Sequence, residues 1–345
     1  VYANEHPEGF IIGVPKYIPT MHVKTDKLQL RTFDGKEYNR FNIRAIGKDE
    51  MKEYFEGLKK HYPGYFLESK DKDTWYMGTP KSKVIEYPDS KKGVTDLMQK
   101  DDSELDEYLK LTKSFIKFFE AAGIPAEAFG LTNSTLLGNY TYGRSDIDTL
   151  IFGKKNYWKA MEFLETAKHE LLRWRTTEEW QQHFVDYFPG MDISEEEYVK
   201  HQSRKRADGL WGGTVFSVFC ASEPQDEEEK FDDTTSKHLG LVKIEATIKD
   251  DYNCCVRPGY YELENVKVID GLAGENSTIE VNPTRVFFYT RNFVEQAKKG
   301  EQIICSGMLE QVTNKKTGDV RQQITTGLFE SYANWRGKEV LKVKW

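Results

Sequence analysis

The sequence predicts an α+β protein, and three observations carry that prediction. A helical period of apolar residues runs through 105–119, β-type runs dominate after residue 236, and an acidic stretch without apolar pattern separates them. A length of 345 residues suits two or three domains. The expected division is a small N-terminal α/β unit (1–90), a core of mixed sheet with flanking helices (91–223), and a small closed β-barrel of OB-like type (236–345). Aromatic residues at 13% and charged residues at 30% are a globular composition, because disordered chains lack the aromatic and branched groups that offset ordering entropy.

The elements follow in chain order. Gly9–Tyr17 and Leu28–Phe33 carry β-type residues, with Asp34-Gly35 as a turn. Met51, Tyr54, Phe55 and Leu58 form the apolar stripe of a helix over Lys48–His61, which Pro63-Gly64 ends. Residues 79–103 read as a polar connector without strong period. Ser103 and Asp106 resemble a capping box, and Leu105, Tyr108, Leu109, Thr112, Phe115, Ile116 and Phe119 then share one helix face until Gly123 and Pro125. Strands are expected at Phe129–Leu131 and Ile147–Phe152. A helix from Lys155 to about Trp174 has Trp158, Met161, Leu164 and Leu171 on one face. More helix is expected at 177–187 and 194–206, and a buried strand at Thr214–Cys220. Pro224–Thr235 is a solvated acidic loop and a natural boundary. Strands are then expected at 240–249, 259–269, 285–289, 301–311, 319–328 and 338–344, with a helix at Asn292–Lys299.

Charge and hydropathy exclude several classes. The 49 Lys+Arg against 56 Asp+Glu leave a net charge of −7, which disfavours a generic coat for polyanions but permits a local basic groove. Mean hydropathy is −0.68 and no apolar run approaches the roughly 18 residues of a membrane span, so no membrane partner is expected. No leader opens the chain, and Val1 in place of Met is read as not the natural start. Cys220, Cys254, Cys255 and Cys305 form no C-x-x-C pair, as expected of reduced thiols in a cytoplasmic protein. The oligomeric state is left open.

The chemistry concentrates in 129–153, FGLTNSTLLGNYTYGRSDIDTLIFG. On a strand, Asp146 and Asp148 point to one face, while Ile147, with Leu150 and Phe152, is expected to face a core. Two such carboxylates repel unless a divalent cation joins them, and an open carboxylate pair suits Mg²⁺ or Mn²⁺ bridged to a triphosphate. An Asp-x-Asp alone is more often a solvated strand end in so acidic a chain. Its context is what distinguishes it: a short strand, Thr132-Asn133-Ser134 as a tight turn, Thr135-Leu136-Leu137 opening a helix, and a loop with Gly138 and Gly143. Tyr140 and Tyr142 could stack a base, although core packing explains most aromatics. Arg204, Lys205 and Arg206, with His201, form a basic cluster whose bland reading is a solvated helix end. No histidine spacing suits zinc, and no Walker-type loop is present.

The segment resembles the DNA polymerase beta-type nucleotidyltransferase motif, a Gly-Ser pair followed about a dozen residues later by Asp-x-Asp. Gly130-Leu131-Thr132, Leu136-Leu137-Gly138 and Arg144-Ser145-Asp146-Ile147-Asp148 are most similar to a mainly archaeal group of predicted nucleotidyltransferases. Fainter likeness extends to Glu5-His6-Pro7, Lys16-Tyr17-Ile18-Pro19, Tyr62-Pro63 with Tyr65, and Asp250-Asp251 with Arg257-Pro258. The resemblance implies a nucleotidyltransferase-like mixed sheet, with Asp146 and Asp148 as catalytic residues that hold Mg²⁺ or Mn²⁺. It further implies that Asn133, Ser134, Arg144 and Ser145 meet the nucleotide. The implied reaction moves NMP from a nucleoside triphosphate to an RNA, protein or small-molecule acceptor, with release of pyrophosphate.

Two departures matter. Asn133 stands where the motif has Gly, and Asn is the residue next most tolerant of positive φ. The superfamily also takes a third carboxylate from a later strand, and the corresponding slot here is Ser217. Glu245 is the alternative third metal ligand, with Asp250 and Asp251 as outsiders. The competing readings are a catalytically impaired nucleotide- or nucleic-acid-binding protein on the same fold and, with less support, a phosphodiester hydrolase.

Overall fold

The computed structural model describes residues 5–20, 29–33, 35–40, 48–187, 193–226, 229–271, 279–327 and 339–345. Leu28, Asp34, the side chains of Met51 and Tyr54, the acidic residues Glu227 and Glu228, and positions 328 and 338 lie outside the described residues. The fold is mixed α+β with several sheets, and the chain forms two compact units. One comprises 1–84, 181–198 and 229–345; the other comprises 85–180 and 199–228.

The chain begins with β1 (Phe10–Ile12), β2 (Tyr17–Pro19), β3 (Gln29–Phe33), β4 (Lys36–Arg40), α1 (Lys48–His61), β5 (Phe66–Ser69) and β6 (Thr74–Pro80). They form two antiparallel sheets, ordered β1-β6-β5 and β2-β4-β3. Phe10, Ile12, Ile18, Phe55, Leu58, Tyr76 and Met77 bury one core together with Tyr289. That shared core is why 1–84 clusters with the C-terminal strands. Gly78 is required there, since a Cβ would lie 2.0 Å from the Ile11 carbonyl oxygen.

Next come α2 (Ser90–Gln99), α3 (Glu107–Phe118), β7 (Phe129–Leu131), α4 (Asn133–Leu136), β8 (Ile147–Phe152), α5 (Lys154–Thr166), β9 (Leu172–Arg173), α6 (Thr177–Tyr187), α7 (Glu195–Arg204), β10 (Asp208–Trp211) and β11 (Thr214–Ala221). The sheet runs β7-β8-β11-β10-β9, with β8 and β11 parallel and every other pair antiparallel. α3 and α5 cover one face, where Phe115 meets Phe216 at 4.7 Å, Phe119 meets Phe129 at 5.3 Å and Phe118 meets Phe163 at 5.0 Å. Phe216 is fully buried, a burial that contributes about 2–3 kcal/mol.

Three local expectations are corrected here. The polar connector contains α2, N-capped by Asp89, whose carboxylate accepts from the Lys91 and Lys92 N–H groups at 2.9 and 3.0 Å. Only Val94 and Leu97 on it are buried, too few to show a period. Ser103 makes no capping box; Glu104 accepts from the Asp101 N–H at 2.9 Å, and Asp106 caps α3 through the Leu109 N–H at 2.8 Å. The helix expected to reach Trp174 stops at Thr166, because Leu172 and Arg173 pair with Trp211 and Leu210 as an edge strand.

The last strands are β12 (Thr234–Asp250), β13 (Gly259–Gly271), β14 (Arg285–Phe288), β15 (Gln302–Asn314), β16 (Val320–Thr326) and β17 (Val340–Val343). β12 pairs with both β13 and β15, so the pairings close a ring β12-β13-β14-β16-β15, with β17 added on β15. Within it β14 and β16 are parallel. Val242, Ile244, Ala246 and Ile248 alternate inward, as one buried face requires. The helix expected at Asn292–Lys299 is a single 3₁₀ turn, Arg291–Phe293. The buried Tyr261 hydroxyl donates to the Phe293 carbonyl at 2.7 Å and accepts from the Gln296 N–H at 2.8 Å, engaging groups a helix needs. Among the described residues no helix is long and apolar enough to cross a membrane. The four cysteines are free thiols.

Candidate functional site

The candidate site lies in the mixed-sheet unit, where β7, α4 and β8 meet. β7 delivers an extended Thr132 (φ −145°) to Asn133, whose φ is +52°. That left-handed turn is costly for most side chains and tolerated by Asn. The turn also aims the Asn133 amide at β8, where its Nδ2 donates to Asp148 Oδ2 at 2.9 Å. A glycine would permit the turn but could not make this bond. Ser134 follows, half-buried, at the start of a short helix whose first N–H groups have no intrahelical partner.

The loop before β8 is pinned to α3. Tyr108 Oη donates to the Asp146 carbonyl at 2.8 Å and shares a 2.6 Å hydrogen bond with Thr135 Oγ1. Tyr140 stacks on Tyr108 with ring centroids 4.5 Å apart and donates to Asp106 Oδ2 at 2.8 Å. Burial, then the Asp106 bond, pushes the Tyr140 phenol up to about 12, and burial raises Tyr108 as well. Both therefore remain hydrogen-bond donors at neutral pH. The Thr141 N–H donates to Ser145 Oγ at 2.8 Å, while the Arg144 and Ser145 N–H groups donate to the Thr141 carbonyl. Ser145 thus shapes the turn, and Tyr140 is a structural ring. Tyr142, 59% exposed, and the exposed Arg144 stand on the outside of this fixed loop.

Asp146 is exposed just before β8, and Asp148 is half-buried on it. Ile147, Thr149 and Ile151 face the core, so the parity expected for Leu150 and Phe152 is corrected. Those two apolar residues lie on the half-buried face that carries Asp148. Their hydrophobicity mimicked a core assignment that the period of two forbids.

The register across the sheet exposes a residue the sequence reading missed. Asp148 lies opposite Ser217 on β11, and Ser217 lies opposite Asp208 on β10, so all three share one face. Ser217 is 5% exposed, and its Oγ donates to Asp208 Oδ1 at 2.8 Å. The signal was present in Gly212-Gly213, a two-residue hairpin turn with φ of +54° and +80°. Counting outward from that turn pairs Trp211 with Thr214 and Asp208 with Ser217.

The other candidates have partners of their own. Glu245 lies on β12 in the other compact unit, where Lys344 donates to it at 2.9 Å and holds its carboxyl below the ordinary range. Asp250 and Asp251 accept from the backbone N–H groups of Tyr252 and Lys299. In the basic cluster Lys205 is buried, and Arg206 pairs with Glu165 at 3.2 Å and lies over Trp174 at 4.9 Å. Those contacts are packing rather than a solvated helix end.

Asp146 and Asp148 themselves offer carboxylate oxygens, the ligand type that a hard divalent cation takes. Among the described residues no three His, Cys, Asp or Glu side chains are grouped to hold a metal.

The chain is similar to the uncharacterized protein MJ1086 of Methanocaldococcus jannaschii, with 27% identity over 226 residues. The match covers 65% of this chain and 61% of that archaeal protein, less than two thirds of its length. No family model matches the chain, and no solved structure matches it.

Proposed function

We propose that the protein transfers a nucleotidyl group from a nucleoside triphosphate to an acceptor hydroxyl, releasing pyrophosphate. The observation that carries this reading is the Asn133–Asp148 hydrogen bond, which joins the turn and the carboxylate strand of the motif into one site. Asp146 and Asp148 would hold Mg²⁺ or Mn²⁺, which when bound supplies charge neutralisation for the triphosphate and the leaving pyrophosphate. Ser134 and the adjoining N–H groups orient phosphate oxygens, and Arg144 adds a cation beside them. Tyr142 offers a ring face to the base. The acceptor oxygen attacks the α-phosphorus in line, and the bond to pyrophosphate breaks.

The ring β12-β13-β14-β16-β15 with its parallel β14/β16 pair supports an OB-like barrel. Such barrels often present oligonucleotides, so an RNA acceptor is the favoured one by analogy of fold. Ser217 in the slot of the third carboxylate favours a second reading, a binding protein that has lost turnover. Incubation with each α-³²P-labelled NTP, Mn²⁺ and cell RNA separates the two. Wild type is expected to release pyrophosphate and label the acceptor, with loss of about 1,000-fold or more in Asp146→Asn/Asp148→Asn. Nucleotide binding without release from any NTP supports the second reading.

A further inference from the structure

A cavity of about 340 Å³ lies within the compact unit that contains the strand ring. The 3₁₀ turn Lys70–Lys72 between β5 and β6 lines it from one side, and Phe231, Asp232 and Thr234 line it where the chain enters β12. Lys72 is the buried residue of that turn, 8% exposed, while Lys70 and Asp71 beside it are exposed. Its Nζ donates to the Thr234 carbonyl at 2.9 Å and to Thr234 Oγ1, and stands 4.9 Å from the centre of the Phe231 ring. These partners are neutral and line the same cavity. The carboxylates of the cavity are engaged elsewhere. Glu68 takes Lys59 at 3.2 Å, Asp71 takes Lys315 at 2.5 Å, and Asp232 accepts from the Glu8 N–H at 3.1 Å. Among the described residues no carboxylate pairs with the Lys72 ammonium.

A buried ammonium without a counter-ion is costly, and the neutral amine relieves the cost. The surroundings suit that amine. It keeps two N–H bonds, one for each Thr234 oxygen, and has a lone pair left over. Burial lowers the group from 10.5 to about 8, with Lys315 adding to the fall and Glu310, Glu229 and Asp232 opposing it. At pH 7.5 about a quarter of such amines are neutral, against about 0.1% of ordinary lysines. We infer that Lys72 is an imine-forming residue and that the cavity admits a small uncharged aldehyde to its ε-amine. The step balances. The Nζ lone pair forms a bond to the carbonyl carbon, the carbonyl oxygen takes both protons that the nitrogen sheds, and it leaves as water as the C=N bond forms. The volume is at the lower end of small-molecule sites, and three carboxylates against two lysines line it, which favours a short neutral carbonyl compound over an anionic one. This site is separate from the Asp146/Asp148 motif and does not depend on the transfer reading.

The test treats the full chain at pH 7.5 with glycolaldehyde and sodium cyanoborohydride, whose hydride fixes the imine as a secondary amine, and reads the labelled peptides by mass spectrometry. Lys72 is expected to be labelled at least about ten-fold faster than Lys70, the exposed lysine of the same turn. Unfolding in guanidinium chloride is expected to abolish that preference, because it depends on the folded surroundings. With glyoxylate, an anion of similar size, the folded-to-unfolded rate ratio at Lys72 is expected to be about three-fold lower or less still. Labelling of Lys72 no faster than that of Lys70 in the folded chain overturns the inference, since a lysine that is only packed is protected rather than reactive. A ratio for glyoxylate equal to or above that for glycolaldehyde overturns the choice of an uncharged ligand.

Discussion

Three carboxylates of the unit that contains the strand ring and three around the Asp146/Asp148 motif are oriented by different kinds of donor. In the unit containing the strand ring, Glu229, Glu262 and Glu197 meet cations. Glu229 takes both Arg321 nitrogens at 2.9 and 2.6 Å with Arg285 at 3.7 Å, Glu262 takes Lys249 at 2.9 Å, and Glu197 takes Lys342 at 2.9 Å. Around the motif of the mixed-sheet unit, three carboxylates accept hydrogen bonds from neutral donors. Asp148 accepts from the Asn133 amide, Asp208 from the Ser217 hydroxyl, and Asp106 from the Tyr140 phenol. An ion pair orients a carboxylate and cancels its charge; a neutral donor orients it and leaves the charge in place. The first arrangement suits stability, and the second aims a carboxylate, as the Asn133 amide aims Asp148, without adding a charge of its own.

If that contrast is right, charge changes in the ring unit alter stability without altering nucleotide binding. The largest effect is expected at Lys72, which is buried against Phe231 and donates to the Thr234 carbonyl at 2.9 Å and to Thr234 Oγ1. Burial lowers its ammonium from 10.5 to about 8, despite the pull of Glu310, Glu229 and Asp232. Between pH 8 and 10.5 the unfolded chain holds a proton that the folded chain lacks. Stability therefore rises with pH across that window, by about 3 kcal/mol in total, and is flat in this respect below it. Urea unfolding at pH 7.5 and 10 should show wild type gaining on Lys72→Met by about 2.4 kcal/mol, the part of the shift that this window spans. A constant difference between the two would mean that Lys72 stays charged in its buried place.

A smaller loss is expected from Glu229→Ala. Burial pulls the Glu229 carboxyl upward, but the Arg321 hydrogen bonds and the Arg321 and Arg285 charges outweigh it and hold the group below its usual range. Removing it leaves two half-buried guanidinium groups without that partner and should cost about 2 kcal/mol. Chemical denaturation measures the cost. Nucleotide affinity at the mixed sheet should not move, and a parallel loss of affinity would break the comparison.

Much of both units was legible locally. The 105–119 period, the Ile147–Phe152 run and the β runs after 236 are patterns of near neighbours, and each became the expected kind of element. What escaped depended on distant partners. β9 is two residues long and exists only because the β10 edge pairs with it. The expected helix after Asn292 yields to Tyr261, a residue about thirty positions upstream. Residues 1–84 join the C-terminal strands through Tyr76 and Tyr289, which no local pattern connects. In the site, Asn133 was legible through its tolerance of positive φ. Asp208 was not, because its place depends on the register set by Gly212-Gly213 and on a strand that was not recognised.

The central claim is that Asp146 and Asp148 form a cation-dependent nucleotide site, and calorimetric titration of each NTP with and without Mn²⁺ tests it most directly. The expected result is NTP binding that requires Mn²⁺ in wild type and weakens by about 100-fold or more in Asp146→Asn/Asp148→Asn, a loss near 2.7 kcal/mol. Equal Mn²⁺-dependent affinity in wild type and the double variant, or no binding of any NTP, would contradict the account.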